Sequence, residues 1–268
     1  MLKFIPENND LLEYLIICLV AFLASILTFF SGFGLGTILL PAFALFFPVE
    51  LAIALTGIVH FCNNIFKLFL VGKSAHWKTV LYFGIPAILF AFIGAKILIN
   101  ITDLPSWLSY SIGNKTLVIT PVKLIIAIIL IVFAVIELLP FFDKIEFKKK
   151  HLPIGGILSG FFGGLSGHQG ALRSAFLIHT GLSKQSFIGT AVVISTFIDF
   201  TRLSVYFKTI LNTNLSQEYL MLLCAILSAV FGAILGKQLL KKVTLMFLQR
   251  MVAVVLILIS VALGIGIL

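Results

Sequence analysis

Apolar residues fall into long runs with few interruptions, and polar residues gather in the gaps. Residues 124–139 hold one charge, Glu137, near the end, and residues 251–268 hold none. A run of about 18 or more apolar residues crosses the roughly 30 Å hydrocarbon layer as a helix. The pattern predicts segments over 11–30, 37–47, 51–71, 80–99, 122–139, 154–165, 171–180, 186–207, 219–240 and 245–268. Strand-like alternation at about ten-residue spacing, the mark of a membrane barrel, is absent. The expectation is an all-α, polytopic membrane protein of eight to ten membrane segments.

Two of the gaps are glycine breaks inside apolar sequence: Ser31-Gly32-Phe33-Gly34-Leu35-Gly36 and Ser166-Gly167-His168-Gln169-Gly170. Each follows a helix, precedes a short return helix, and is succeeded by three ordinary spanning segments. The breaks align at an offset of 135 residues, which sets Asn64 and Lys67 on Asp199 and Arg202. This predicts an internal duplication: a first repeat over 1–142, a basic linker over 143–152 and a second repeat over 153–268. Lys73 and Lys78 share one loop, Lys144 and Lys148 to Lys150 the linker, and Lys237, Lys241 and Lys242 another turn. Placing these in the cytoplasm puts both termini outside and inserts the halves in opposite senses. Inverted-topology repeats commonly carry a transport site near the midplane, between discontinuous helices. Whether the hairpins cross or re-enter does not alter the parity.

Composition agrees. The chain is 60% hydrophobic and 11% charged, well outside the range of soluble domains. Its net charge of +9 is accounted for by cytoplasmic loops and does not call for nucleic acid. Cys18, Cys62 and Cys224 lie in apolar segments with no CxxC spacing and read as small buried hydrophobes. Glu7, Asp10 and Glu13 stand where a signal peptide would be positive. HExxH, GxSxG and Walker motifs are missing, so an enzyme is not expected, and neither a metal nor a cofactor is.

Candidate chemistry lies at the breaks. Freed N–H and C=O groups in lipid need protein partners or a cavity, and half-helix N-termini suit an anion. Close helix packing at small residues is the other reading. The second break carries His168, Gln169 and Arg173. An arginine at membrane depth costs at least about 2.5 to 3.5 kcal/mol on insertion scales. It must bind an oxyanion through its fork of donors, or pair with a carboxylate such as Asp199. Asp199 and Arg202, three residues apart on one helical face, are expected to neutralise each other. Asn63, Asn64 and Lys67 form the matching face, and Lys67 stands near a helix end, where it could snorkel. His60 precedes them by about one turn, either as a carrier of a coupling proton or as a hydrogen-bonded, non-titrating group. His179 reads as interfacial, and Trp77 and Trp107 as interface anchors in loops. The site expected from this chemistry is Arg173, His168, Gln169, Asn63, Asn64, Gly32, Gly34, Gly167 and Gly170, with His60, Lys67, Asp199 and Arg202 as secondary charges. An intramembrane enzyme using Ser166 and His168, and a non-transporting structural subunit, are the rivals.

The stretch Phe30-Ser31-Gly32-Phe33-Gly34-Leu35-Gly36-Thr37-Ile38-Leu39-Leu40-Pro41, continued through Ala54-Leu55-Thr56 to Asn63-Asn64, resembles the first repeat of the TauE/SafE sulfite exporter family, also called the toluene sulfonate uptake permease family. Residues 155–202 resemble the second, although Gly167-His168-Gln169-Gly170 replaces the usual glycine-rich run. The resemblance implies secondary transport of sulfite, a sulfonate or a similar small organic anion across a prokaryotic cytoplasmic membrane. Partners are then the anion and the lipid bilayer, with proton coupling and a homo-oligomer left open.

Overall fold

A computed structural model describes residues 8–31, 34–113, 115–138, 147–212, 218–239 and 245–268. Ten α-helices form among them: α1 Asn8–Ser31, α2 Leu35–Ala44, α3 Val49–Val71, α4 Trp77–Thr102, α5 Pro121–Leu138, α6 Leu152–Ser166, α7 Gly170–Leu177, α8 Lys184–Asn212, α9 Tyr219–Leu239 and α10 Leu245–Gly264. Five stretches are long and apolar enough to span a bilayer: Leu11–Phe29, Val49–Ser74, Trp77–Thr102, Lys184–Phe207 and Tyr219–Gln238. Leu35–Ala44, Pro121–Ile136 and Val252–Gly264 are shorter apolar helices. At about 1.5 Å per residue, α7 extends only about 12 Å, well short of the hydrocarbon thickness.

Large apolar side chains point outward. Leu11, Leu15, Leu19 and Leu23 recur every fourth residue on α1, as do Leu81, Ile85 and Leu89 on α4, and all are exposed. Such stripes suit a lipid solvent, which makes the outside apolar and leaves polar groups to the centre. The three cysteines are half-buried at this boundary and unbridged, less enclosed than their apolar setting implies.

Small residues set the helix pairing. Gly156, Gly160 and Gly164 of α6 lie against the backbones of Phe83, Ala87 and Ala91 of α4, so closely that an added Cβ would collide with each carbonyl oxygen. Gly232 of α9 presses in the same way on Phe22 of α1, and a Cβ on Gly236 would come to 3.1 Å from Ile26 O. Small residues at four-residue spacing allow this approach. α3 packs on α8, α5 on α10 and α2 on α3.

Helix ends follow local chemistry. Pro48 caps α3, whose first turn holds Glu50, and His76 Nδ1 accepts from Thr79 N (3.3 Å) at the start of α4. Trp77 is therefore helical rather than in a loop, though still exposed, and His179 is exposed in a short 3₁₀ turn after α7.

The connection over 103–120 departs from the expected loop. Leu108–Ile112 (β1) and Lys115–Ile119 (β2) form an antiparallel hairpin, with Trp107 N donating to Ile119 O (3.0 Å). Gly113, at φ 59, supplies the positive φ that tight primed hairpin turns require. Tyr110 Oη donates to Ile265 O (2.5 Å), tying the hairpin to the end of α10. At the other face His76 N donates to Thr190 Oγ1 (2.9 Å), joining the α3–α4 turn to α8. The predicted positions Lys144, Lys241 and Lys242 lie outside the described residues, as does the 143–146 part of the linker.

Candidate functional site

The two glycine breaks meet. Gly34 N-caps α2 at φ +88, and Gly167 ends α6 in the left-handed region at φ +82. Both conformations favour glycine strongly. A Cβ on Gly34 would stand 3.4 Å from His60 Nε2 and 3.8 Å from Gly170 Cα, and one on Gly36 would stand 3.6 Å from Gly167 O. Each loop therefore packs on the other, the first also on α3 and the second on Arg202 of α8. Gly32 and Phe33 lie outside the described residues.

Asp199, fully buried on α8, is the hub. Its Oδ1 accepts from Arg202 Nε (3.0 Å) and from Gln169 Nε2 (3.0 Å), and pairs with Arg202 Nη2 at 2.9 Å. Its Oδ2 accepts from Asn64 Nδ2 (2.9 Å) and lies 2.6 Å from His60 Nδ1. A carboxylate oxygen only accepts, so Nδ1 carries the proton in this contact. One carboxylate thus joins α3, α8 and the second break. The mutual neutralisation expected of Asp199 and Arg202 is present as an ion pair, with three further polar groups, Gln169, Asn64 and His60, gathered on the carboxylate.

Gln169 divides its amide. While Nε2 holds Asp199, Oε1 accepts from Arg173 Nη1 (3.0 Å), which also donates to Ser195 Oγ (3.0 Å). Ser159 Oγ donates to Gln169 O (2.9 Å) and anchors the loop. Arg173 therefore connects to the Asp199 network through a bridging side chain.

On the Oδ2 side lies a cavity of about 20 Å³ lined by Gly34, His60, Asn64, Lys67, Arg173 and Ser195, with Thr28, Phe29, Ile188 and Val192 completing the wall. About 10 to 15 Å³ admits one water, so this conformation is nearly closed. Lys67 does not snorkel: it is 4% exposed, and Nζ turns inward over the Phe29 ring, 5.3 Å from its centroid. The Asn63 amide, oriented so that its nitrogen donates to Ala229 O (3.2 Å), turns its oxygen toward Lys67 Nζ (3.2 Å). Among the described residues, the buried charged side chains comprise Lys67, Arg173 and Arg202 as cations and Asp199 as the carboxylate.

Of the expected site residues, Gly34, Asn64 and Arg173 line the cavity, and His60 and Lys67 join them. Asn63, Gln169 and Asp199 stand behind, each holding a neighbour. Gly170 packs under Gly34, and Gly167 packs against Arg202. His168 is turned elsewhere: its ring stacks on Phe133 of α5 at 5.5 Å, and Nδ1 donates to Ser166 O (3.2 Å). The Ser166 hydroxyl donates back to Phe162 O (3.1 Å), so it is not presented to the His168 ring as a nucleophile would be. Ser195 is the residue the sequence reading missed. Serine within an apolar helix gives little signal, because its hydroxyl can bond back to its own helix.

The fold and this centre define a multi-pass helical membrane protein with polar, cation-rich chemistry at its core. The chain belongs to the sulfite exporter TauE/SafE family, a family of membrane transporters, whose sequence profile matches residues 17–263. The resemblance carried by the two glycine motifs is borne out over nearly the whole chain. No curated protein matches it.

Proposed function

We propose that the protein is a secondary transporter of a small sulfur-containing oxyanion, sulfite or a sulfonate, binding it between Lys67 and Arg173. The observation that carries this reading is the buried charge. Three formal cations face one carboxylate, and two of the cations, contributed by opposite halves, line the same cavity. Among the described residues, buried positive charge is thus in net excess, which is costly in a low-dielectric interior, and a bound anion offsets it. Arg173 supplies directed donors, Lys67 a compact charge, and Asn64 and Ser195 neutral hydrogen bonds.

The helix pairings support alternating access by two inverted repeats. Shifting by 135 residues carries the starts of α2 and α3 onto those of α7 and α8. The pair α1 with α9 corresponds to α6 with α4, while α3 with α8 and α5 with α10 map onto themselves. In this arrangement both hairpins re-enter, their tips meet at the midplane, and both termini are outside a prokaryotic cytoplasmic membrane. His60, held on Asp199 beside the cavity, is placed to couple protons to anion movement.

The test is flux in proteoliposomes loaded with sulfite or sulfoacetate. Arg173→Ala is expected to lower flux by roughly 30-fold or more, the equivalent of losing about 2 kcal/mol from a buried charged contact. Wild-type flux in that variant would refute the assignment.

A further inference from the structure

The Oδ1 side of Asp199 holds polar atoms that the cavity does not use. Arg202 is completely buried, and with Nε and Nη2 turned to Asp199 its Nη1 meets no protein acceptor. That nitrogen would stand 2.8 Å from a Cβ on Gly167, so it lies directly under the second break. Thr56 Oγ1 and His168 Nε2 are also buried without a hydrogen-bond partner. Thr56 packs on Gly36, which itself faces Gly167 O, and His168 follows Gly167 in the chain. Thr56 and Arg202 thus flank the contact of the two loops, and His168, one residue beyond Gly167, interacts electrostatically with Arg202. Buried polar atoms are seldom left without partners, and a cluster of them points to a ligand.

Their donor and acceptor roles define that ligand. Arg202 Nη1 can only donate, and Thr56 Oγ1 can do either. His168 Nδ1 spends its proton on Ser166 O, which leaves Nε2 of the neutral ring as an acceptor. We propose that Arg202, Thr56 and His168 form a second oxyanion subsite, across Asp199 from the Lys67 and Arg173 cavity, selective for a monoanion that still bears one proton on oxygen. The anion accepts from Arg202 and Thr56 and donates its O–H to His168 Nε2. Gly36 and Gly167 close over these atoms here, and parting the two loops exposes them. The offset of 135 residues sets Arg202 on Lys67, so each half contributes one cation, on opposite sides of one carboxylate. The first half has Phe33 where the second has His168, so only the second subsite reads the proton.

The subsite rests on the reading of the centre as an anion path, and the test separates the two. Methylphosphonate and methanesulfonate are near-isosteric, and at mildly acidic pH both are monoanions, of which only the first bears an O–H. Equilibrium binding of each, radiolabelled, is measured on the purified full-length protein in detergent. Wild type is expected to bind two methylphosphonates and one methanesulfonate per chain. His168→Phe, which keeps a ring against Phe133, and Arg202→Lys, which keeps a charge for Asp199, should each weaken one methylphosphonate site about tenfold, as for one lost hydrogen bond. Arg173→Ala should remove the other site. Equal stoichiometry for the two ligands, unchanged in His168→Phe, would overturn the subsite while leaving the cavity standing. Loss of binding in His168→Phe with none in Arg173→Ala would uphold the subsite and overturn the cavity.

Discussion

Asp199 shows why single polar residues in this protein act as parts of a set. Its two oxygens hold groups from α3, α8 and the second break, and it offsets the charge of a fully buried arginine. Removing one member of a buried pair strands the other, which costs about 3 to 5 kcal/mol, whereas replacing both with well-packed groups is often close to neutral. Asp199→Asn is therefore expected to lower the midpoint of thermal unfolding in detergent sharply. Asp199→Asn combined with Arg202→Met should recover most of that loss, and a double variant less stable than the single one would show that the pair is not the source of the stability. Arg173, His168 and Gln169 were legible in the sequence because each is expensive in lipid. Their division of labour was not. Gln169 looked like a ligand-binding residue because it is polar, but its amide is consumed between Asp199 and Arg173. His168 looked like its partner in the same site, yet the left-handed turn at Gly167 lays its ring on Phe133 of α5, away from the cavity of Lys67 and Arg173. Adjacency in sequence gave no warning of that, because the turn at Gly167 reverses direction.

At the scale of elements, periodicity placed every helix, with ends displaced by a few residues where capping decides. It failed on the hairpin over Leu108–Ile112 and Lys115–Ile119, where Gly113-Asn114 between β-rich runs was the available signal and short strands carry little periodic weight. The glycine breaks admitted two readings, cavity and close packing, and around the second break the structure shows glycines of both kinds. Gly167 lies at the polar centre, while Gly156, Gly160 and Gly164 form the seam with α4. The seam is backbone against backbone, so neither side can yield by rotating a side chain. Gly160→Val should therefore force α6 off Ala87 and destabilise by about 1 to 3 kcal/mol, the usual scale of overpacking. Gly264→Ala is the matched control, because its Cβ would meet only Ala127 Cβ at an ordinary 3.7 Å. Equal melting temperatures for the two variants would contradict the seam.

For the whole molecule, the arrangement of faces is what the proposed mechanism depends on. The hairpin and the end of α10 share a face through Tyr110 and Ile265, and Gly266 sits against Val118 there. The α3–α4 turn sits with the start of α8 through His76 and Thr190. α4 connects these two sets and is long and apolar enough to cross the membrane, which in the proposed arrangement sets them on opposite faces. Basic residues were the only sequence signal for this parity, and several of them fall in segments outside the described residues, so the hydrogen bonds carry the argument further than charge did. Alternating access by inverted repeats requires the two re-entrant tips to be approached from opposite faces, and hence this parity to hold in the cell. Cysteine labelling tests it directly. With Cys18, Cys62 and Cys224 replaced by alanine, single cysteines at the exposed positions Ser106, before β1, and Ile267, at the end of the chain, should react with an impermeant maleimide added to intact cells. Single cysteines at Ser74 and Lys150 should react only after the membrane is opened. Labelling of Ser74 and Ser106 from the same side would break the parity, and with it the proposed opposed insertion of the two halves.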